Sequence, residues 1–125
     1  MDKKLKIMII DDENIVGKRL KPALEKTGDY VESFEDAKKA LERFNSEPFD
    51  IVVTDIRMDE IDGLEVLEQV LSKSNQTKVI IITGYATVEV AREALAKGAF
   101  DFIAKPFKPS DLRAIIDRAA KRSAS

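Results

Sequence analysis

Five short apolar runs punctuate the chain, and each is followed by a stretch in which apolar residues recur at helical intervals. The first run, Leu5 to Ile10, ends in Asp11-Asp12. Behind it, Ile15, Val16, Leu20, Ala23 and Leu24 share one helical face between Glu13 and Lys26. Asp12 is the expected N-cap, Glu13 suits the first turn, and Gly28 closes the helix. Pro22 lies inside, where its missing N–H predicts a kink. Tyr30 to Phe34 alternates like a strand near a sheet edge. Ser33, with Asp36 three residues on, opens a second helix that turns Phe34, Ala37, Ala40, Leu41 and Phe44 inward. Pro48 ends that region.

The third run, Ile51 to Thr54, is β-branched throughout and stops on Asp55. A continuous apolar run of this length suits a central parallel strand covered on both faces. Asp62-Gly63-Leu64-Glu65 then opens a third helix, a capping-box variant, with Leu64, Val66, Leu67, Val70 and Leu71 as its buried stripe. Val79 to Ile82 is the most apolar run, and Thr83-Gly84 follows it. Thr87 caps a fourth helix that reaches Lys97 and stops at Gly98. Phe100 to Ala104 is a fifth strand, ending in Lys105-Pro106. Pro109 fits the first turn of a last helix, with Leu112, Ile115 and Ile116 inward. Strand and helix thus alternate five times over, with short links. That order predicts one α/β domain over residues 1–125: a five-stranded parallel sheet with helices on both faces.

Such a sheet gathers the residues that follow its strands onto one rim, where ligands bind in open α/β folds. The rim collects Asp11 and Asp12 from strand one, Asp55 from strand three, Thr83 from strand four and Lys105 from strand five. Three converging carboxylates repel one another, and a divalent cation resolves the repulsion. The chain has no His and no Cys, so only oxygen ligands are on offer. That selects a hard ion, Mg²⁺ or Mn²⁺. With the ion bound, Asp55 can stay ionised and attack phosphorus as a nucleophile. Lys105 and Thr83 would meet the equatorial oxygens of the transferred group. Taken singly, each residue also has a plain reading. An Asp-Asp pair before a helix is a cap, an Asp at a strand end is a turn residue, and Lys105 is a solvated cation. Spacing alone leaves both accounts standing.

Composition narrows the field. Hydrophobic residues make up 44% and charged residues 35%, with 21 basic and 23 acidic side chains and a net charge of −2. This is the profile of a folded domain with no basic field for nucleic acid and no polybasic tract for a membrane. Lack of Cys and His removes disulfides, thiolate zinc sites, Ser-His-Asp triads and a phosphohistidine on this chain. No apolar run approaches the roughly 20 residues that span a bilayer. The expected location is the cytoplasm.

Asp11-Asp12, Asp55-Ile56-Arg57-Met58 followed by Asp62-Gly63, Thr83-Gly84 and Lys105-Pro106-Phe107 together resemble the signature of bacterial response-regulator receiver domains. Gly98 to Phe107 is most similar to receivers of the NtrC type. The resemblance covers nearly the whole chain. It implies a flavodoxin-like (βα)5 fold with strand order 2-1-3-4-5, and a cis bond between Lys105 and Pro106. It implies that Asp55 accepts a phosphoryl group from a sensor histidine kinase. Asp12, Asp55 and the backbone carbonyl of Arg57 would bind Mg²⁺, with Asp11 helping through water. Lys105 would contact the phosphoryl group or pair with Asp55, Thr83 would swing inward to bond the phosphoryl group, and Phe102 would rotate in behind Thr83. Helix four, strand five and helix five would form the face that changes partners, an output domain or downstream protein. Such a domain catalyses only its own phosphorylation and dephosphorylation.

One departure from the family pattern is Asp59, where a Pro usually follows the Met, with Glu60 next to it. Both acids stand near the expected metal site. Arg57 and Tyr85 flank the acceptor and are candidates for controlling water access. The face of helices four and five is mixed in charge (Glu89, Arg92, Glu93, Lys97, Asp111, Arg113, Asp117, Arg118), which permits a homodimer and equally suits a solvated surface. The sequence argues against two other readings. A hydrolase of the haloacid dehalogenase kind needs a second Asp two residues after the first, where this chain has Arg57. A flavodoxin-like cofactor binder needs a Gly- or Thr-rich phosphate loop after strand one, where Asp11-Asp12-Glu13-Asn14 would repel phosphate.

Overall fold

The computed structural model describes residues 4–56, 61–84 and 88–121. The elements run β1 (Lys6–Ile10), α1 (Asn14–Glu25), β2 (Tyr30–Phe34), α2 (Ala37–Ser46), β3 (Ile51–Asp55), α3 (Gly63–Lys73), β4 (Lys78–Thr83), α4 (Val88–Ala96), β5 (Asp101–Ala104) and α5 (Pro109–Ala120). All strand pairs are parallel, in the order β2-β1-β3-β4-β5. This is the doubly wound, flavodoxin-like arrangement that the alternation and the resemblance imply.

Alternate residues of the central strands feed two separate apolar layers. Met8, Ile10, Val52, Val79 and Ile81 pack with α2, α3 and Ala94 of α4. Ile7, Ile9, Ile51, Val53, Ile80 and Ile82 pack with α1 and α5. Both faces of β1, β3 and β4 are therefore sealed, which is why these strands read as continuous apolar runs and not as alternation.

Several local expectations change. Glu13, not Asp12, occupies the N-cap of α1, and its side chain makes no capping bond. Asp11 serves the turn instead, accepting the Glu13 N–H on Oδ1 at 2.9 Å. Pro22 cannot donate to the Lys18 carbonyl, yet α1 continues through it to Glu25. Ile15 is exposed and lines a surface groove with Pro106 and Phe107, outside the core. β5 begins at Asp101, one residue later than expected. The cap of α2 is Asp36 itself, which accepts from Lys38 N at 2.8 Å and Lys39 N at 3.3 Å; Ser33 lies within β2. Asp36→Ala is expected to lower stability by about 1 kcal/mol, read as a shifted urea midpoint with unchanged slope. An unshifted midpoint would mean that the cap is idle. Asp62 caps α3, accepting from Glu65 N at 2.9 Å, and Pro109 opens α5. Thr87 lies outside the described residues.

Candidate functional site

Parallel register brings four strand ends together. Ile10 stands beside Thr54, Asp55 beside Ile82, and Thr83 beside Ala104. The residues at and just after these positions become neighbours despite lying far apart in sequence. Oxygen atoms of Asp11, Asp12 and Asp55 all lie within 4.8 Å of one another. Asp11 and Asp55 are buried, while Asp12 faces solvent.

Lys105 reaches across from the end of β5. Its ammonium donates to Asp55 Oδ2 at 2.9 Å and forms an ion pair with Asp11 Oδ2 at 2.8 Å. It also donates to Glu13 Oε1 at 2.6 Å, a contact that the sequence reading missed. Burial works against this ammonium, but the hydrogen bonds to Asp11, Glu13 and Asp55 outweigh it and hold its pKa above the usual lysine value. Burial pushes the Asp11 carboxyl up, only partly offset by Lys105 and by the Glu13 N–H. Glu13 is held below its usual value by its hydrogen bond to Lys105.

The backbone around Asp55 is crowded. The Thr54 hydroxyl donates to the Asp55 carbonyl at 2.9 Å. The Gly63 N–H donates to the Ile56 carbonyl at 2.9 Å. A Cβ on Gly63 would stand 2.3 Å from the Asp55 carbonyl oxygen and 2.7 Å from Ile56 Cα. Only glycine lets α3 start this close to the end of β3.

Thr83 is fully buried at the end of β4, and its carbonyl accepts the Lys105 N–H at 2.8 Å. Phe102 is half-buried on β5, beside Ile81 in register, and packs against the apolar layer shared with α2 and α3. Lys105–Pro106 is a cis peptide bond. The Arg57 carbonyl, Asp59, Glu60 and Tyr85 lie outside the described residues. The three clustered carboxylates, in a chain with neither His nor Cys, offer a hard divalent cation a set of oxygen donors that suits Mg²⁺.

Residues 7–117 match the response regulator receiver domain family. The chain belongs to that family. It is 40% identical over 114 residues to regulatory protein AtoC of Escherichia coli (strain K12), covering 91% of this chain but 25% of that relative. The chain thus spans about a quarter of AtoC. Among solved structures, the CheY-like receiver domain of Methanospirillum hungatei JF-1 superposes with a TM-score of 0.90 at 31% identity, over 95% of each chain. The beryllofluoride-activated NtrC4 receiver domain dimer gives a TM-score of 0.87 at 28% identity, over 92% of this chain and 95% of that one. Nothing in these relatives favours a dehalogenase-like hydrolase or a flavin binder.

Proposed function

We propose that residues 1–125 form one receiver unit in which Asp55 accepts a phosphoryl group from a phosphohistidine of a sensor kinase. The observation that carries this reading is the contact of Lys105 with Asp55 and Asp11 at the rim. An Asp55 carboxylate oxygen attacks phosphorus, the P–N bond to imidazole breaks, and a P–O bond forms. The imidazole leaves with the electron pair and takes a proton from solvent. Lys105 stands ready to bond a phosphoryl oxygen, and Thr83, at the end of the next strand, to donate its hydroxyl. The acyl phosphate carries about one negative charge more than the carboxylate it replaces. That added charge draws in the Thr83 hydroxyl, Phe102 rotates in behind it, and the α4–β5–α5 face is biased in turn.

Asp12, Asp55, the Arg57 carbonyl and, through water, Asp11 would hold Mg²⁺. When bound, the ion neutralises charge on the carboxylates and on the transferred group. Mg²⁺ at ten times its dissociation constant is expected to stabilise the fold by about 1.4 kcal/mol. The check is a rise in Tm that EDTA reverses; a Tm indifferent to Mg²⁺ removes the metal from this account.

Beside Lys105, Ile15, Arg19, Pro106 and Phe107 line an apolar groove. It supports docking of a kinase next to Asp55. The exposed Val88 and Leu95 of α4 support an output domain, a downstream protein or a second copy on the α4–β5–α5 face. No described helix is long and apolar enough to cross a membrane, in keeping with a cytoplasmic place of work. On this reading the protein acts on no substrate beyond its own phosphoryl group.

The test is intact mass after incubation with acetyl phosphate, with and without Mg²⁺. A gain of one phosphoryl group that requires the ion is expected. No gain in a folded, Mg²⁺-binding protein would replace the reading with a receiver that signals by binding alone.

A further inference from the structure

The Lys105 ammonium faces three carboxylates, and they are not equivalent. Asp11 and Asp55 present side chains only 1% and 8% exposed, whereas Glu13 is 61% exposed. Glu13 is also fixed twice. Its N–H binds Asp11 Oδ1 at 2.9 Å, and its carboxylate accepts from Lys105 at 2.6 Å. The turn after β1 therefore sets the Glu13 side chain directly over the cation. The lysine ammonium donates hydrogen bonds to Glu13 and Asp55 and is paired by charge with Asp11, so carboxylates already surround it, the nearest oxygens at 2.6–2.9 Å. A phosphoryl group arriving at Asp55 brings further oxygens that need this cation. One carboxylate must yield. The hydrated Glu13 loses least by returning to water, whereas releasing Asp11 would leave a buried charge without its partner.

We propose that Glu13 is a positioning residue that holds Lys105 in the resting protein and surrenders it when the phosphoryl group arrives. This deepens the reading of Asp55 as acceptor and rests on it. Glu13 then sets how readily the site is filled: its grip on Lys105 must break before the cation can serve the incoming group.

Substitution is clean here, because the backbone N–H that orients Asp11 survives any change of side chain. The experiment compares phosphorylation rates of wild type, Glu13→Ala and Glu13→Gln, using acetyl phosphate and phosphoramidate at saturating Mg²⁺. Both variants are expected to react about two- to fivefold faster, the range set by an exposed ion pair of up to about 1 kcal/mol. The gain should be equal for the two donors, although phosphoramidate carries less negative charge. It should also shrink as salt is raised, because the exposed pair is screened. A mere packing role for Glu13 would produce neither the match between Ala and Gln nor the salt dependence. Rates equal to or below wild type overturn the proposal while leaving Asp55 as acceptor. A gain confined to acetyl phosphate also overturns it, in favour of simple repulsion of the donor. No phosphorylation of wild type by either donor removes the acceptor reading and this inference with it.

Discussion

Replacing Asp55 with Asn is expected to leave a folded protein that takes up no phosphoryl group. The amide has nearly the shape of the carboxylate, so the end of β3 and its pairing with β4 are kept. What is lost is the nucleophile: an amide oxygen does not displace imidazole or acetate from phosphorus at neutral pH. Stability should change little, within about 1 kcal/mol, because no buried charge is stranded. Lys105 keeps Asp11 and Glu13 as partners, and the amide oxygen still accepts one hydrogen bond. Intact mass and urea unfolding of the same preparation separate loss of chemistry from loss of fold. Uptake at the wild-type rate would place the acceptor elsewhere, with Asp11 and Asp12 the next residues to replace.

The second large effect is expected at a residue with no functional group. Gly63→Ala drives a methyl to 2.3 Å from the Asp55 carbonyl oxygen, against backbone and not against a side chain that could turn away. Either α3 retreats or the end of β3 moves. Retreat strains the bond from Gly63 N to the Ile56 carbonyl; movement of β3 disturbs the Thr54 hydroxyl on the Asp55 carbonyl. Overpacking of this kind costs about 1–3 kcal/mol. A shift of Asp55 by about 1 Å would slow phosphoryl uptake by about 10²-fold. Both are measurable, by urea titration and by the rate of mass gain. If the variant keeps full stability and full rate, the close approach is not a constraint on the site.

These two residues differ in how far the sequence revealed them. Asp55 was legible because a β-branched run ending on an acid has one natural place, the carboxyl end of a central strand. Asp11, Thr83 and Lys105 were legible for the same reason, since parallel pairing carries every strand end to one rim. Gly63 was visible as half of an Asp-Gly pair, at a helix start and in the family signature, but with no role attached to it. Its distance from Asp55 depends on how α3 docks on the sheet, which no local spacing encodes. Glu13 was read as a favourable charge in a helix turn. Its bond to Lys105 spans 92 positions and depends on the exact reach of a side chain from another strand. The caps of α1 and α2 were misplaced for a smaller reason, whereas Asp62 caps α3 as expected. Asp12 and Glu13, like Ser33 and Asp36, are close rivals for their helix starts, and backbone dihedrals decide between them. Ile15 looked like core because helical spacing does not say which positions on a face are covered.

The two sealed layers have a consequence for how such a protein can diversify. Among its described residues α4 commits one, Ala94, to full burial, whereas α2 and α3 commit four each. Its outward positions are therefore open to change while the acids and Lys105 stay at the strand ends. On the proposed reading, chemistry and recognition are carried by parts of the molecule under unequal constraint. A lineage can change whom the domain addresses without relearning how it reacts.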